Sequence, residues 1–139
     1  MLPSLGVADI DRNIEFVDFN KSYIGPVRVS WYAQPTNGIS HVRVKLGLKS
    51  VPAELRQYLP LFGELFSKIG TKNYSAADFS ERLLAKTNGV ECAIDKFALT
   101  DDVSEREEFL FLSTAFLDRN ADAAFDLFSE LLATPNFDP

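Results

Sequence analysis

The stretch from residue 61 to residue 71 reads Leu-Phe-Gly-Glu-Leu-Phe-Ser-Lys-Ile-Gly-Thr, and it closes a longer segment with the periodicity of a helix. Apolar side chains recur at intervals of three and four residues, at positions 55, 58, 59, 62, 66 and 69. This spacing places them on one side of a helix that buries a single apolar stripe. We therefore predict an amphipathic helix over residues 53–69, bent at Pro60 because proline removes a backbone donor inside a helix.

Two leucines four residues apart hold the positions at which a zinc-binding helix of the H-x-x-E-H type carries its histidines. Such histidines project from one side of the helix and hold one zinc ion, while the glutamate acts on the metal-bound water. Here Leu61 and Leu65 stand at both ligand positions and only Glu64 remains, although Leu-x-x-Glu-Leu is also an ordinary helix sequence. Leucine has no lone pair for a cation, so this helix is predicted to bind no zinc. The two leucines flank the apolar stripe, and we expect them to belong to the core.

Three strands are predicted before this helix. Residues 14–19 alternate weakly, whereas residues 27–33 and 40–48 alternate clearly between apolar and polar side chains. Asn37-Gly38 favours a tight turn because both residues tolerate positive φ. We therefore predict a β-hairpin between the second and third strands.

A helix, two strands and a final helix are predicted after it. Ser75, followed by Asp78, is typical of a helix start, so the second helix should begin there and end at Lys86, before Asn88-Gly89. Strands follow over residues 90–99 and 109–117, the second of them apolar throughout and therefore central. The last helix follows a cap at Asp118 or Asn120 and stops before Pro135. These elements predict an α+β fold: an antiparallel or mixed β-sheet with helices packed on one face.

Composition narrows the class of protein. The 139 residues suit one domain, and 46% hydrophobic residues with 12 Phe supply a single core. A net charge of −6 argues against nucleic acid or an anionic membrane surface as partner. One Cys excludes an internal disulfide and a cysteine-based metal site. No apolar run is long enough to span a bilayer.

Three residues suggest catalysis at first sight. His41 and Cys92 are the only residues of their types, and nucleophilic chemistry would need them side by side. His41 falls on the polar face of its strand and Cys92 on the apolar face of another, which predicts a surface histidine and a core thiol. Glu64 could act as a general base, but without a partner it is expected to be a solvated helix carboxylate.

Two further groups of polar residues have structural explanations. An acidic cluster might bind a cation, but its spacing matches no calcium loop, and a soluble hairpin loop explains it better; its members are Asp101, Asp102, Glu105, Glu107 and Glu108. Asp118-Arg119-Asn120 lies at a predicted strand-to-helix junction, where capping and an ion pair account for it. We predict no catalytic, cofactor-binding or metal-binding residue in this chain.

Several segments resemble, in order and approximate spacing, one family of zinc peptidases. They are residues 2–10 (Leu-Pro-Ser-Leu-Gly-Val-Ala-Asp-Ile), 33–38 (Ala-Gln-Pro-Thr-Asn-Gly), 52–62 (Pro-Ala-Glu-Leu-Arg-Gln-Tyr-Leu-Pro-Leu-Phe) and 117–120 (Leu-Asp-Arg-Asn), with Gly70-Thr71 after the helix. The family is the pitrilysin or insulinase type of metallopeptidase, in the falcilysin-like branch of the presequence proteases. The resemblance is to the start of its third domain, a degenerate copy of the zinc domain.

This resemblance implies a function for a longer parent protein. Residues 1–13 would be a linker from a hinge, and residues 14–139 the front part of a non-catalytic pitrilysin-type domain. The parent would be a zinc metalloendopeptidase that degrades short unstructured peptides such as cleaved presequences, with its zinc bound outside this chain. This chain would contribute to the wall of a closed peptide chamber and contact other domains of the same polypeptide. A mitochondrial matrix or other organelle lumen is implied, or the cytoplasm in a bacterium.

Two alternatives from other classes remain open. A free-standing module could bind extended peptides by adding them as a strand to an exposed sheet edge. An independent hydrolase would have to use Cys92 or Glu64. We also expect the isolated fragment to self-associate, because a sheet without its later neighbours leaves apolar faces or strand edges open.

Overall fold

The computed structural model describes residues 6–9, 18–98 and 104–138. These residues belong to two compact units, which divide between Pro35 and Thr36. The first unit holds a small β-ribbon, and the second holds a three-stranded sheet with the described α-helices.

The first unit contains a two-stranded antiparallel ribbon. Strand β1 spans Asn20–Ile24 and strand β2 spans Val27–Trp31, with Asn20 opposite Trp31. Gly25 turns the chain between them with φ at 59°, a left-handed conformation that glycine adopts without steric cost. A short 3-10 helix at Val7–Asp9 lies earlier in the chain.

The first predicted strand is displaced along the chain. Of residues 14–19, residues 14–17 lie outside the described part, while Asp18 and Phe19 precede β1 rather than belonging to it. The strand predicted at residues 27–33 is confirmed as β2, which ends two residues earlier.

The predicted hairpin between the second and third strands is wrong. β2 pairs with β1, whereas strand β3, Ile39–Gly47, pairs along its length with strand β5, Arg106–Leu117. Asn37 and Gly38 do adopt positive φ, at 53° and 78°. Turn chemistry therefore bends the chain as expected, but it does not choose the partner strand, and the long apolar β5 offers β3 more surface to bury.

The sheet of the second unit is antiparallel, in the order β3-β5-β4, where β4 spans Glu91–Ala98. The apolar run at residues 109–117 lies in the central strand, as predicted, although β5 begins earlier, at Arg106. Alternate residues of β5 from Leu110 to Phe116 are buried. The predicted α+β class is confirmed.

The helix predicted at residues 53–69 divides into two parts. A 3-10 helical segment spans Ala53–Tyr58, and helix α1 spans only Leu59–Phe66. Pro60 lies in the first turn of α1, where its missing N–H costs no hydrogen bond, rather than inside a longer helix. Proline thus starts the α-helix instead of bending it.

Helices α2, Ala76–Lys86, and α3, Ala121–Ala133, agree closely with their predicted ranges. The hydroxyl oxygen of Ser75 accepts a hydrogen bond from the Asp78 backbone N–H at 3.2 Å, which confirms the predicted cap of α2. The predicted side-chain cap of α3 is wrong, because Asn120 holds the N-cap position without such a bond.

The core of the second unit lies between one face of the sheet and the helices. Its buried members are Leu48, Phe66, Phe79, Leu83, Leu110, Leu112, Phe128 and Leu131. On the opposite face His41, Arg43 and Lys45 are exposed, and the Lys45 ammonium lies 3.4 Å from the centre of the Phe109 ring. Among the described helices, none is both long and apolar enough to cross a membrane.

Candidate functional site

Helix α1 is oriented by a glycine that packs against the sheet. Gly63 is buried, and a Cβ placed on it would lie 3.6 Å from Ile94 Cδ1 of β4. Phe66 is buried on the same side, and Leu59 and Phe62 pack against the core. These contacts fix which side of α1 faces inward.

Leu61 and Leu65 lie on the other side of α1. Their side chains are 57% and 47% exposed, so the prediction that they belong to the core is wrong. At about 100° per residue, both leucines lie far from the side defined by Gly63 and Phe66. Periodicity pointed the wrong way because α1 is apolar on both sides, and the close approach of Gly63 decides between them.

Zinc does not fit this helix. Leucine offers no donor atom at either ligand position, and the part of the chain that the structure describes holds no group of three or more His, Cys, Asp or Glu side chains that could bind a metal ion. Glu64, between the leucines, has a side chain that is 78% exposed and accepts a hydrogen bond from Lys68 Nζ at 3.2 Å. The prediction of a solvated helix carboxylate is confirmed.

His41 and Cys92 lie on opposite faces of the sheet. His41 is exposed and pairs in register with Ala115, whereas Cys92 is half-buried, packs against the core and pairs with Leu112. Burial raises the pKa of the Cys92 thiol, and the negative charge of Glu64 raises it further. The thiol is therefore a poor nucleophile at neutral pH. The structure does not bring the two residues together.

The Gly70-Thr71 pair after α1 forms a tight joint with the end of α3. A Cβ on Gly70 would lie only 2.5 Å from the Tyr74 carbonyl oxygen, so no side chain fits there. Thr71 is 2% exposed, and its hydroxyl donates to Glu130 Oε1 at 2.8 Å. The Lys72 N–H donates to the Thr134 carbonyl at 2.9 Å. Glu130 was not singled out from the sequence, because no local pattern links it to Thr71.

The predicted acidic loop is largely a different structure. Asp101 and Asp102 lie outside the described residues, Glu105 is exposed, and Glu107 and Glu108 belong to the central strand β5 rather than to a loop. The loop interpretation is therefore wrong for the last two residues.

Glu108 is a structural carboxylate. It pairs with Arg56 Nη1 and with Lys96 Nζ, both at 2.6 Å. Arg56 also donates to the carbonyl oxygen of Leu48 at 3.1 Å. The hydrogen bond from Lys96 holds the pKa of Glu108 below its usual value, assisted by the positive charges of Lys96 and Arg56 and opposed by partial burial. This network ties the 3-10 segment to the sheet.

Asp118 and Asn120 make junction contacts rather than catalytic ones. Asp118 Oδ1 accepts a hydrogen bond from the Ser40 hydroxyl at 2.8 Å, and Asn120 Nδ2 donates to the Lys86 carbonyl at 3.2 Å. Arg119 has no ion pair within the described residues, so the ion pair expected here is not formed there.

A surface pocket of about 430 Å³ lies beside the end of α2. His41 lines it together with Leu84, Thr87 and Asn120, but neither a carboxylate nor the thiol of Cys92 is among its lining residues. The pocket therefore lacks the paired groups that nucleophilic or acid–base catalysis requires.

The fold and the helix that lacks zinc ligands define the class of protein before any relative is considered: an α+β domain of a peptidase type without metal chemistry in α1. Residues 1–139 match the model of a family described as peptidase-associated, from subfamily C of metallopeptidase family 16, and the chain belongs to that family. It is similar to proteins named "Presequence protease, mitochondrial" from Xenopus tropicalis, Danio rerio and Mus musculus, at 34%, 32% and 29% identity over 99% of this chain. The chain spans only about 13% of the length of these relatives.

Proposed function

We propose that this chain is a non-catalytic domain of a larger zinc peptidase that degrades short unstructured peptides, and that it forms part of the wall of an enclosed peptide chamber. The family match supports a role in a peptidase, and the names of the relatives support cleaved presequences as substrates and the mitochondrial matrix as the compartment. Residues 1–13 would then be a linker, and residues 14–139 the front part of the domain.

The orientation of α1 carries this proposal. Leu61 and Leu65 project outward, as ligands of a metal site would, but neither can coordinate zinc. Glu64 between them is engaged by Lys68. The zinc and the catalytic groups of the parent therefore belong to other parts of the polypeptide, and this chain contributes surface and shape.

Zinc content and peptide cleavage by the purified chain test the non-catalytic role. We expect no stoichiometric zinc by elemental analysis and no cleavage of a fluorogenic unstructured peptide. A Leu61→His/Leu65→His variant is the positive control for metal capture, because two exposed histidines four residues apart can chelate an ion, although without a third ligand it should also be inactive. One tightly held zinc in the native chain, or cleavage by it, would overturn the proposal.

Cross-linking tests the chamber wall. An unstructured peptide carrying a photoreactive group, bound to the longer polypeptide, should cross-link to residues of this chain. Cross-links confined to other parts of the polypeptide would remove the wall role while leaving the non-catalytic assignment intact.

One observation favours the alternative of a free-standing module that binds peptides. β3 is an edge strand that pairs only with β5 in the described part of the chain, so its other edge is open to an added strand. Titration of the isolated chain with extended peptides separates the two functions, since saturable binding by the chain alone favours the module.

A further inference from the structure

A row of apolar side chains runs along the solvent side of the segment from Ala53 to Phe66. It consists of Leu55, Tyr58, Leu61 and Leu65, and we name it the outer ridge. Their side chains are 50%, 57%, 57% and 47% exposed. No described residue of the chain buries the ridge.

The helical geometry makes the ridge continuous. Residues three apart eclipse one another in a 3-10 helix, which stacks Leu55 on Tyr58. Residues four apart are neighbours on an α-helix, which brings Leu61 next to Leu65. The row thus crosses the boundary between the two helical parts without a charged residue inside it.

The opposite side of the same segment is already in the core. Leu59 and Phe62 pack against the buried cluster, and Phe66 belongs to it. A helix with apolar side chains all round is normally buried on all sides. The charges nearest the ridge are on its rim, where Glu64 pairs with Lys68, and Arg56 is turned away toward Glu108. An apolar centre with a charged rim is typical of an interface.

We propose that the outer ridge docks on an apolar surface of another segment of the same, longer polypeptide. This inference uses the proposed function only in taking the chain as one segment of a longer protein, as its 13% share of the relatives' length supports. Four half-exposed side chains provide much less than the roughly 800 Å² per partner that a stable interface buries. A separate molecule could not be held by the ridge alone. Covalent connection raises the effective concentration to about the millimolar range, at which a small apolar contact suffices.

Cysteine labelling tests the docking. In a Cys92→Ser background, Leu61→Cys and Leu65→Cys are introduced singly, with Glu81→Cys on exposed α2 as the matched control. Each variant is prepared as the isolated chain at low concentration and as the longer polypeptide. We expect thiols at positions 61 and 65 to react rapidly in the isolated chain and at least about tenfold more slowly in the longer polypeptide, relative to position 81. Equal protection at all three positions would overturn the proposal.

Two other occupants would each give a different result. Protection in the isolated chain that grows with its concentration would identify a second copy of the chain. Protection in the longer polypeptide that appears only after addition of an unstructured peptide would identify substrate. Either result refutes docking within the polypeptide, whereas zinc content and peptide cleavage by the chain, which test the proposed function, would be unaffected.

A charge substitution gives an independent readout that does not depend on cysteine chemistry. Leu61→Glu should leave the unfolding midpoint of the isolated chain nearly unchanged, because the residue is exposed there. The same substitution should lower the midpoint of the longer polypeptide, in which it would place a carboxylate in an apolar contact. Unchanged midpoints in both proteins would contradict the proposal.

Discussion

Replacement of Thr71 by valine tests the joint between the end of α1 and α3. Valine keeps the shape of threonine, so no cavity opens, but it removes the hydroxyl that donates to Glu130 Oε1 at 2.8 Å. The same oxygen accepts from the backbone N–H groups of Asn73 and Tyr74, at 3.3 and 3.2 Å. A hydrogen bond to a charged group contributes about 1.5–3 kcal/mol, and the two N–H donors lose a partner in a buried turn. We expect Thr71→Val to cost about 2–3 kcal/mol.

Urea denaturation followed by far-ultraviolet circular dichroism measures this loss. Fluorescence of the single tryptophan is unsuitable, because Trp31 lies in the first compact unit. In a thermal scan the same loss should lower the midpoint by roughly 6–9 °C for a domain of this size. Thr36→Val, at an exposed position, is the matched control and should change stability by less than about 0.5 kcal/mol.

A double-mutant cycle refines the result. Combining Thr71→Val with Glu130→Ala should give a coupling energy of about 1–2 kcal/mol if the two side chains act through one hydrogen bond. A loss below about 0.5 kcal/mol for Thr71→Val alone would refute the reasoning, since a buried hydroxyl with three partners cannot be removed at so little cost.

Three further predictions concern other parts of the chain. Leu61→Ala and Leu65→Ala should each cost less than about 1 kcal/mol in the isolated chain, whereas Leu83→Ala, which is fully in the core, should cost about 2–5 kcal/mol; equal losses in urea denaturation would mean that α1 is oriented differently. Because the pKa of Glu108 is lowered on folding, its contribution to stability is complete above the pKa of the unfolded chain and is lost as the pH falls through the folded value. The stability difference between the native chain and Glu108→Gln should therefore shrink on acidification, and a difference independent of pH in denaturation curves would contradict the network. Light scattering of the isolated chain at high micromolar concentration should show self-association through the open sheet, most simply a dimer, and a strictly monomeric protein that unfolds cooperatively would indicate a self-sufficient domain.

Local patterns were sufficient for many of the elements. Alternation and β-forming residues identified β5, and a serine with a following aspartate identified the start of α2. These signals depend on neighbours within a few residues, which is the range over which backbone preference acts. The order of helices and strands in the second unit could therefore be predicted.

Contacts between distant residues could not be predicted. Asn37-Gly38 specified a bend, but the choice of β5 as the partner of β3 depends on a strand about seventy residues later in the chain. The orientation of α1 depends on Gly63 meeting Ile94 of β4, which no periodicity contains. Thr71 and Glu130 are 59 residues apart and are linked only by the fold. The candidate site was thus correct in its residues and wrong in the direction they face.

The clash at Gly70 separates two kinds of information that a sequence motif carries. No side chain fits there, because a Cβ would overlap the backbone of Tyr74 and Ala76. Gly70-Thr71 is consequently required by the chain's path whether or not the preceding helix binds a metal. Finding this pair in another sequence reports the architecture, and only the residues four apart in the helix report the chemistry. A search that scores both together would assign peptidase activity to domains that have kept the shape and lost the reaction.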